Sequence, residues 1–111
     1  MILLLQCAIS THRHMIVRIV KMHFKGGHVE AFREIFQQHK QAVRNVNGCT
    51  HLVLLRDVHN PLSFVTLSHW DSERDLEAYR NSELFKEVWG KVKVLFGAPT
   101  QAFSLEKMEE L

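Results

Sequence analysis

Little in this chain interrupts a regular backbone. There are two prolines, Pro61 and Pro99, and five glycines in 111 residues. Both residue types punctuate secondary structure, so the stretches between them are free to run as unbroken strands and helices. Cysteine is nearly absent. Cys7 and Cys49 form no CxxC pair, which leaves no disulfide framework and makes a reducing, cytoplasmic setting the expectation. Charge of one sign is lacking too. The formal net charge is +2, and Arg18, Lys21, Lys25, Lys40, Arg44, Arg56, Lys91 and Lys93 are spread along the chain, so the dense basic face of a nucleic-acid binder is missing. The apolar stretch at residues 1–8 is too short to cross a membrane, and no basic residue precedes it as in a signal peptide. No membrane partner and no nucleic acid are therefore expected. Finally, the chain contains no GxSxG, no Walker loop, no GxGxxG and no HxxxH helical pair.

What is present suits one domain. Hydrophobic residues make up 46% and charged residues 23%, enough for a single core with a solvated surface. Residues 1–14 read as an extension outside the fold, with Met15 as a candidate start codon. His12 and His14 in that extension suit a polar tail better than a metal site. Met15 to Phe24 is rich in β-branched residues and predicts a strand. Lys25-Gly26-Gly27 predicts a turn. A helix is expected from His28, with Val29, Phe32, Phe36, Val43 and Val46 on one stripe, stopped by Asn47-Gly48. Cys49 to Val58 and Ser63 to Trp70 predict a hairpin around Asn60-Pro61. Ser72 and Asp75 form a capping box for the next helical region. Ser82 is a second N-cap within it, ahead of Phe85, Val88, Trp89, Val92, Leu95 and Phe96. Thr100 to Leu105 predicts a final strand. The fold class is α+β, ferredoxin-like, in the order β-α-β-β-α-β over residues 15–105, with 106–111 as a charged tail.

In such a fold the helices cover one sheet face only. Ile16, Arg18, Val20, Met22 and Phe24 share one face of the first strand; Val17, Ile19, Lys21 and His23 share the other. On the third strand Phe64, Thr66, Ser68 and Trp70 alternate with Val65, Leu67 and His69. Large apolar groups occur on both faces, so a second copy of the chain is expected to cover the face the helices leave open.

Taken together, MIVRIVKMHFKGG from Met15, Asn47-Gly48-Cys49, Leu55-Arg56-Asp57, Pro61, Phe64, Trp70-Asp71-Ser72, Leu76, Tyr79, Ser82 and Phe85 resemble the antibiotic biosynthesis monooxygenase (ABM) domain family over nearly all of residues 15–105. The resemblance implies a dimeric α+β barrel with a small pocket between sheet and helices in each subunit. It also implies a spread of activities: some members oxidise quinols or polycyclic aromatics without metal or flavin, others cleave haem, and others have no known activity. This sequence departs from parts of the pattern. Where many quinol-oxidising members look like Glu-x-Trp, it has Ser68-His69-Trp70. The histidines such members often carry fall here on Tyr79 and Leu84. The haem-cleaving members' axial histidine falls on Trp89, and their first-strand asparagine on Ile19 or Val20.

These features set the expectations for a site. Trp70 ends a strand and offers an indole N–H. Tyr79 offers a phenol to orient an oxygenated substrate. His39, interrupting the apolar stripe of the first helix, and His51, on a strand, are the candidate bases. Phe64, Thr66, Ser68, Phe85 and Trp89 are expected to line the pocket. His23, His51 and His69 lie on strands with no carboxylate placed among them, so no metal ligand set is assigned, and no cofactor is expected. The functional expectation is a cofactor-independent monooxygenase acting on a small aromatic or quinol-like molecule as a homodimer; the alternative is a non-catalytic small-molecule-binding or stress-response domain.

Overall fold

A computed structural model describes residues 15–111. The N-terminal extension, with Cys7, His12 and His14, lies outside the described residues. Four strands form one sheet: β1 (Ile16–His23), β2 (Cys49–Arg56), β3 (Ser63–Trp70) and β4 (Gln101–Glu106), in the order β2-β3-β1-β4. Every neighbouring pair is antiparallel, and β1 lies against β3 over its full length, from Ile16 opposite Trp70 to His23 opposite Ser63. Helix α1 (Val29–Arg44) joins β1 to β2. The expected second helical region is two helices, α2 (Glu73–Arg80) and α3 (Glu83–Val92), followed by a 3₁₀ turn at Lys93–Leu95. The order is thus β-α-β-β-α-α-β, the ferredoxin-like arrangement with its last helix broken.

Ser82 causes that break. Its hydroxyl accepts from Phe85 N–H at 3.1 Å and donates to the Tyr79 carbonyl at 2.6 Å. It therefore closes α2 and opens α3 in one residue, as an N-cap does. Ser72 caps α2 in the same way, accepting from Asp75 N–H at 3.1 Å. Helix α1 ends at Arg44, so Val46 falls beyond it. The chain then turns through Gly48 at φ +89°, and the Gly48 carbonyl accepts from Asp71 N–H at 2.8 Å. Strand β2 stops at Arg56, short of the expected Val58, because Asp57 turns its carboxylate to accept from His59 N–H at 2.7 Å.

All three helices pack on one face of the sheet. There the side chains are large at both ends and short in the middle. At one end Met22, Phe24 and Phe64 pack with Phe32 and Val92; Phe24 stacks on Phe32 at 4.3 Å and meets Phe64 edge-on at 5.9 Å. At the other end Ile16, Cys49, Trp70 and Leu76 form a second cluster. Between these clusters the same face carries Val20 opposite Thr66 and Ala102, and Arg18 opposite Ser68 and Ser104. Helices held apart by the bulky ends cannot close down on the short middle.

The opposite face carries Val17, Ile19, Val53, Leu55, Val65, Leu67, Phe103 and Leu105, with Leu55, Phe103 and Leu105 each between 45% and 48% exposed. No helix among the described residues is long and apolar enough to cross a membrane.

Gly48 is constrained twice over. An L-residue at this φ is strained, and a Cβ there would lie 2.5 Å from the Asp75 side chain at the start of α2. Gly48→Ala is expected to lower stability by about 2 kcal/mol or more, read as a fall in the urea midpoint. An unchanged midpoint would contradict the tight approach of the Gly48 turn to α2.

Candidate functional site

The short middle of the inner face is the floor of a cavity of about 390 Å³. This is the size range of small-molecule sites. Phe36, His39 and Val43 of α1 form one wall; Phe85, Val88 and Trp89 of α3 form the other; Trp70 and Tyr79 close one end. The rings make a continuous series. Trp70 stacks on Tyr79 at 5.2 Å, Tyr79 meets Phe85 edge-on at 5.3 Å, and Phe85 lies nearly parallel to Trp89 at 5.8 Å. The α2–α3 break at Ser82 makes this series possible, since it redirects the helix between Tyr79 and Phe85.

Trp70 is 1% exposed, and its indole N–H donates to Ser68 Oγ at 2.9 Å. The donor expected to reach a bound ligand is therefore engaged within the protein, and the ring acts as a rigid wall. Ser68 faces the same way as Trp70, two residues earlier on β3, so the pairing follows directly from strand alternation. Tyr79 is half-buried. Burial first, and the proximity of Cys49 second, push its phenol up to about 12. At neutral pH it keeps its proton and can donate it in a hydrogen bond. Burial likewise raises the Cys49 thiol, only partly offset by its hydrogen bond to the His51 carbonyl and by Arg44, so no reactive thiolate is set up there.

Of the two histidines expected as bases, the fold brings only His39 to the cavity. It is half-buried, and Lys91 Nζ stands 3.4 Å from its Nε2. His51 points the other way. The register slips between Cys49, opposite Trp70, and His51, opposite His69. That irregularity at Thr50 moves His51 to the outer face, where its ring packs against His69 at 4.7 Å. A bulge of one residue reverses every side chain after it, and strand alternation alone does not reveal it. Phe64 is likewise absent from the lining: it is consumed by the Phe24–Phe32 cluster. Thr66, Ser68, Phe85 and Trp89 line the cavity.

The cavity also has polar lining outside the expected set. Arg18 of β1 and Arg80, the last residue of α2, both border the cavity. Arg18 shares a strand face with Ile16, Val20 and Met22, and a charge inserted into that apolar alternation was the available signal. Thr100 also reaches the lining, with its Oγ1 buried and lacking a hydrogen-bond partner among the described residues. Among the described residues, no three His, Cys, Asp or Glu side chains converge as metal ligands.

An antiparallel split β-α-β sheet with an aromatic-walled cavity beneath its helices defines a small α+β domain of the ferredoxin-like type. The family profile for antibiotic biosynthesis monooxygenase matches residues 15–89, and the chain belongs to that family. Similar solved structures include a conserved Methanosarcina mazei protein, 20% identical with TM-score 0.81, covering 86% of this chain and 94% of that one. A Mycobacterium tuberculosis protein is 18% identical with TM-score 0.79, covering 86% and 97%. A Nitrosomonas europaea protein bearing the antibiotic biosynthesis monooxygenase name is 22% identical with TM-score 0.78, covering 87% and 93%. These likenesses establish the fold. No curated protein sequence gives a significant match.

The Trp70–Ser68 bond gives a direct test of the wall. Ser68→Ala leaves a buried indole N–H without a partner and is expected to cost about 1–3 kcal/mol, measured by urea denaturation. A change within error would mean that the bond does not hold the ring.

Proposed function

We propose that the domain oxygenates a flat, electron-rich aromatic such as a quinol, using the substrate's own reducing power and no bound cofactor. The observation that carries this reading is the cavity itself: about 390 Å³, walled by rings, with His39 as the one histidine on its lining among the described residues. His39 takes a proton from the bound substrate. The resulting anion gives an electron to O₂, and the carbon radical and superoxide combine to a peroxide. His39 returns the proton, the hydroperoxide loses water, and a carbonyl remains. One oxygen atom stays in the product and the other leaves as water, so no external reductant is needed. Tyr79, kept protonated by burial, donates to the substrate oxygen. The aromatic walls hold the ring and exclude water, which strengthens both interactions.

The outer sheet face fits the same reading. Its exposed apolar surface, including Phe103 and Leu105, is what a second copy would cover in a two-fold dimer.

Two measurements test these points. Oxygen uptake with hydroquinones and polyphenols is expected above background, falling about 10²-fold in His39→Ala and also reduced in Tyr79→Phe; no uptake above background across such a panel would overturn the enzymatic reading and leave a ligand-binding domain. Light scattering is expected to give twice the 13.0 kDa chain mass, and a monomer at micromolar concentration would refute the dimer.

A further inference from the structure

Most of the cavity is apolar, but one part of it is cationic. Arg18 rises from the middle of β1, opposite Ser68 on one side and Ser104 on the other. Its Nη1 donates to Ser104 Oγ at 2.8 Å. A guanidinium has five N–H donors in a fixed fork, so this bond anchors the group and leaves most of its donors for another partner. Arg80 reaches the same cavity from the end of α2, one residue after Tyr79.

Arg18 has no carboxylate in ion-pair contact among the described residues. Glu77 is the one acid that supports its charge, and it is already engaged with Arg80 at 3.4 Å, in a pair whose side chains are 43% and 59% exposed. Exposed pairs of this kind are weak and readily rearranged. Burial and the neighbouring Arg80 both work against the Arg18 charge. Two guanidiniums thus share one exposed carboxylate beside a half-enclosed apolar cavity. Holding a second arginine there without its own counter-ion is unfavourable for the empty protein, and an anion supplied by a ligand relieves it.

We infer that Arg18 and Arg80 form an anion subsite, and that the natural ligand is an aromatic carrying a carboxylate at one edge. The carboxylate docks on the Arg18 fork, with Arg80 releasing Glu77 to join it. The ring system extends from there between Phe36 of α1 and the Phe85–Trp89 pair of α3. This specifies the substrate class for the site described above and rests on that reading of the cavity as a ligand site.

The test compares two ligands of the same shape and different charge, 1-naphthoate and 1-naphthamide, by titration calorimetry near neutral pH. The carboxylate is expected to bind about tenfold more tightly than the amide, with the gap shrinking as salt is raised. Arg18→Gln is expected to remove the gap by weakening naphthoate alone, while unchanged naphthamide binding shows that the cavity is intact. Arg80→Gln, at an exposed helix end, is expected to narrow the gap as well and serves as the deciding variant if Arg18→Gln does not fold. Equal binding of the two ligands to the unaltered protein would overturn the anion subsite and leave the aromatic cavity standing, as would a gap that persists in Arg18→Gln or that Arg80→Gln does not narrow. If neither ligand binds, the cavity is not an aromatic site and both readings fall.

Discussion

The hydrogen bond from the Trp70 indole to Ser68 fixes the geometry on which the candidate site depends. Trp70 is almost wholly enclosed, and an indole N–H enclosed without a partner is costly. The serine two residues back on the same strand face removes that cost and, in doing so, selects one orientation of the ring. The flat face so presented is where Tyr79 stacks. Tyr79 in turn gives its carbonyl to Ser82, the residue at which the helix breaks. The orientation of α3, and with it the position of Phe85 and Trp89, follows from that break. One buried donor thus propagates through two serines to set a whole aromatic wall.

The cavity follows from a size pattern rather than from a loop or a missing element. Phenylalanines and a methionine fill one end of the inner sheet face, a tryptophan fills the other, and valine, alanine, threonine and serines occupy the middle. Packing alone favours filling such a space, because unpaired walls lose dispersion contacts. The short residues across three adjacent strands therefore forgo stability at one location. The presence of Arg18 in that row points the same way, since a guanidinium is an unfavourable filler for an apolar core.

The element order, the face assignments on β1 and β3, the capping role of Ser72 and Ser82, and the meeting of Trp70, Tyr79 and Trp89 were all legible in the sequence. They rest on local rules: alternation, helical spacing and cap chemistry. What was not legible depended on register and on competition for space. His51 moved to the outer face because of one irregularity beside Cys49. Phe64 was taken by a cluster formed with Phe24 and Phe32 from elsewhere in the chain. Alternation puts Trp70 and Ser68 on one face as lining, but that the indole N–H donates to the Ser68 hydroxyl depends on how the ring turns in the core. Arg18 was visible as a charge on an apolar face, but its relation to Arg80 depends on how α2 lies over the sheet.

The chain has only two tryptophans, and both border the same cavity. Their surroundings differ: Trp70 rests on a tyrosine with its nitrogen on a hydroxyl, whereas Trp89 sits between Phe85 and Phe96. With Tyr79 the chain's one tyrosine, the protein's tryptophan and tyrosine emission therefore originates at one location. Filling that location changes the light the molecule gives off with no label attached, and the domain is its own optical gauge of occupancy. The same fact joins two processes that are usually separable, because melting of the fold and departure of a guest alter one shared signal.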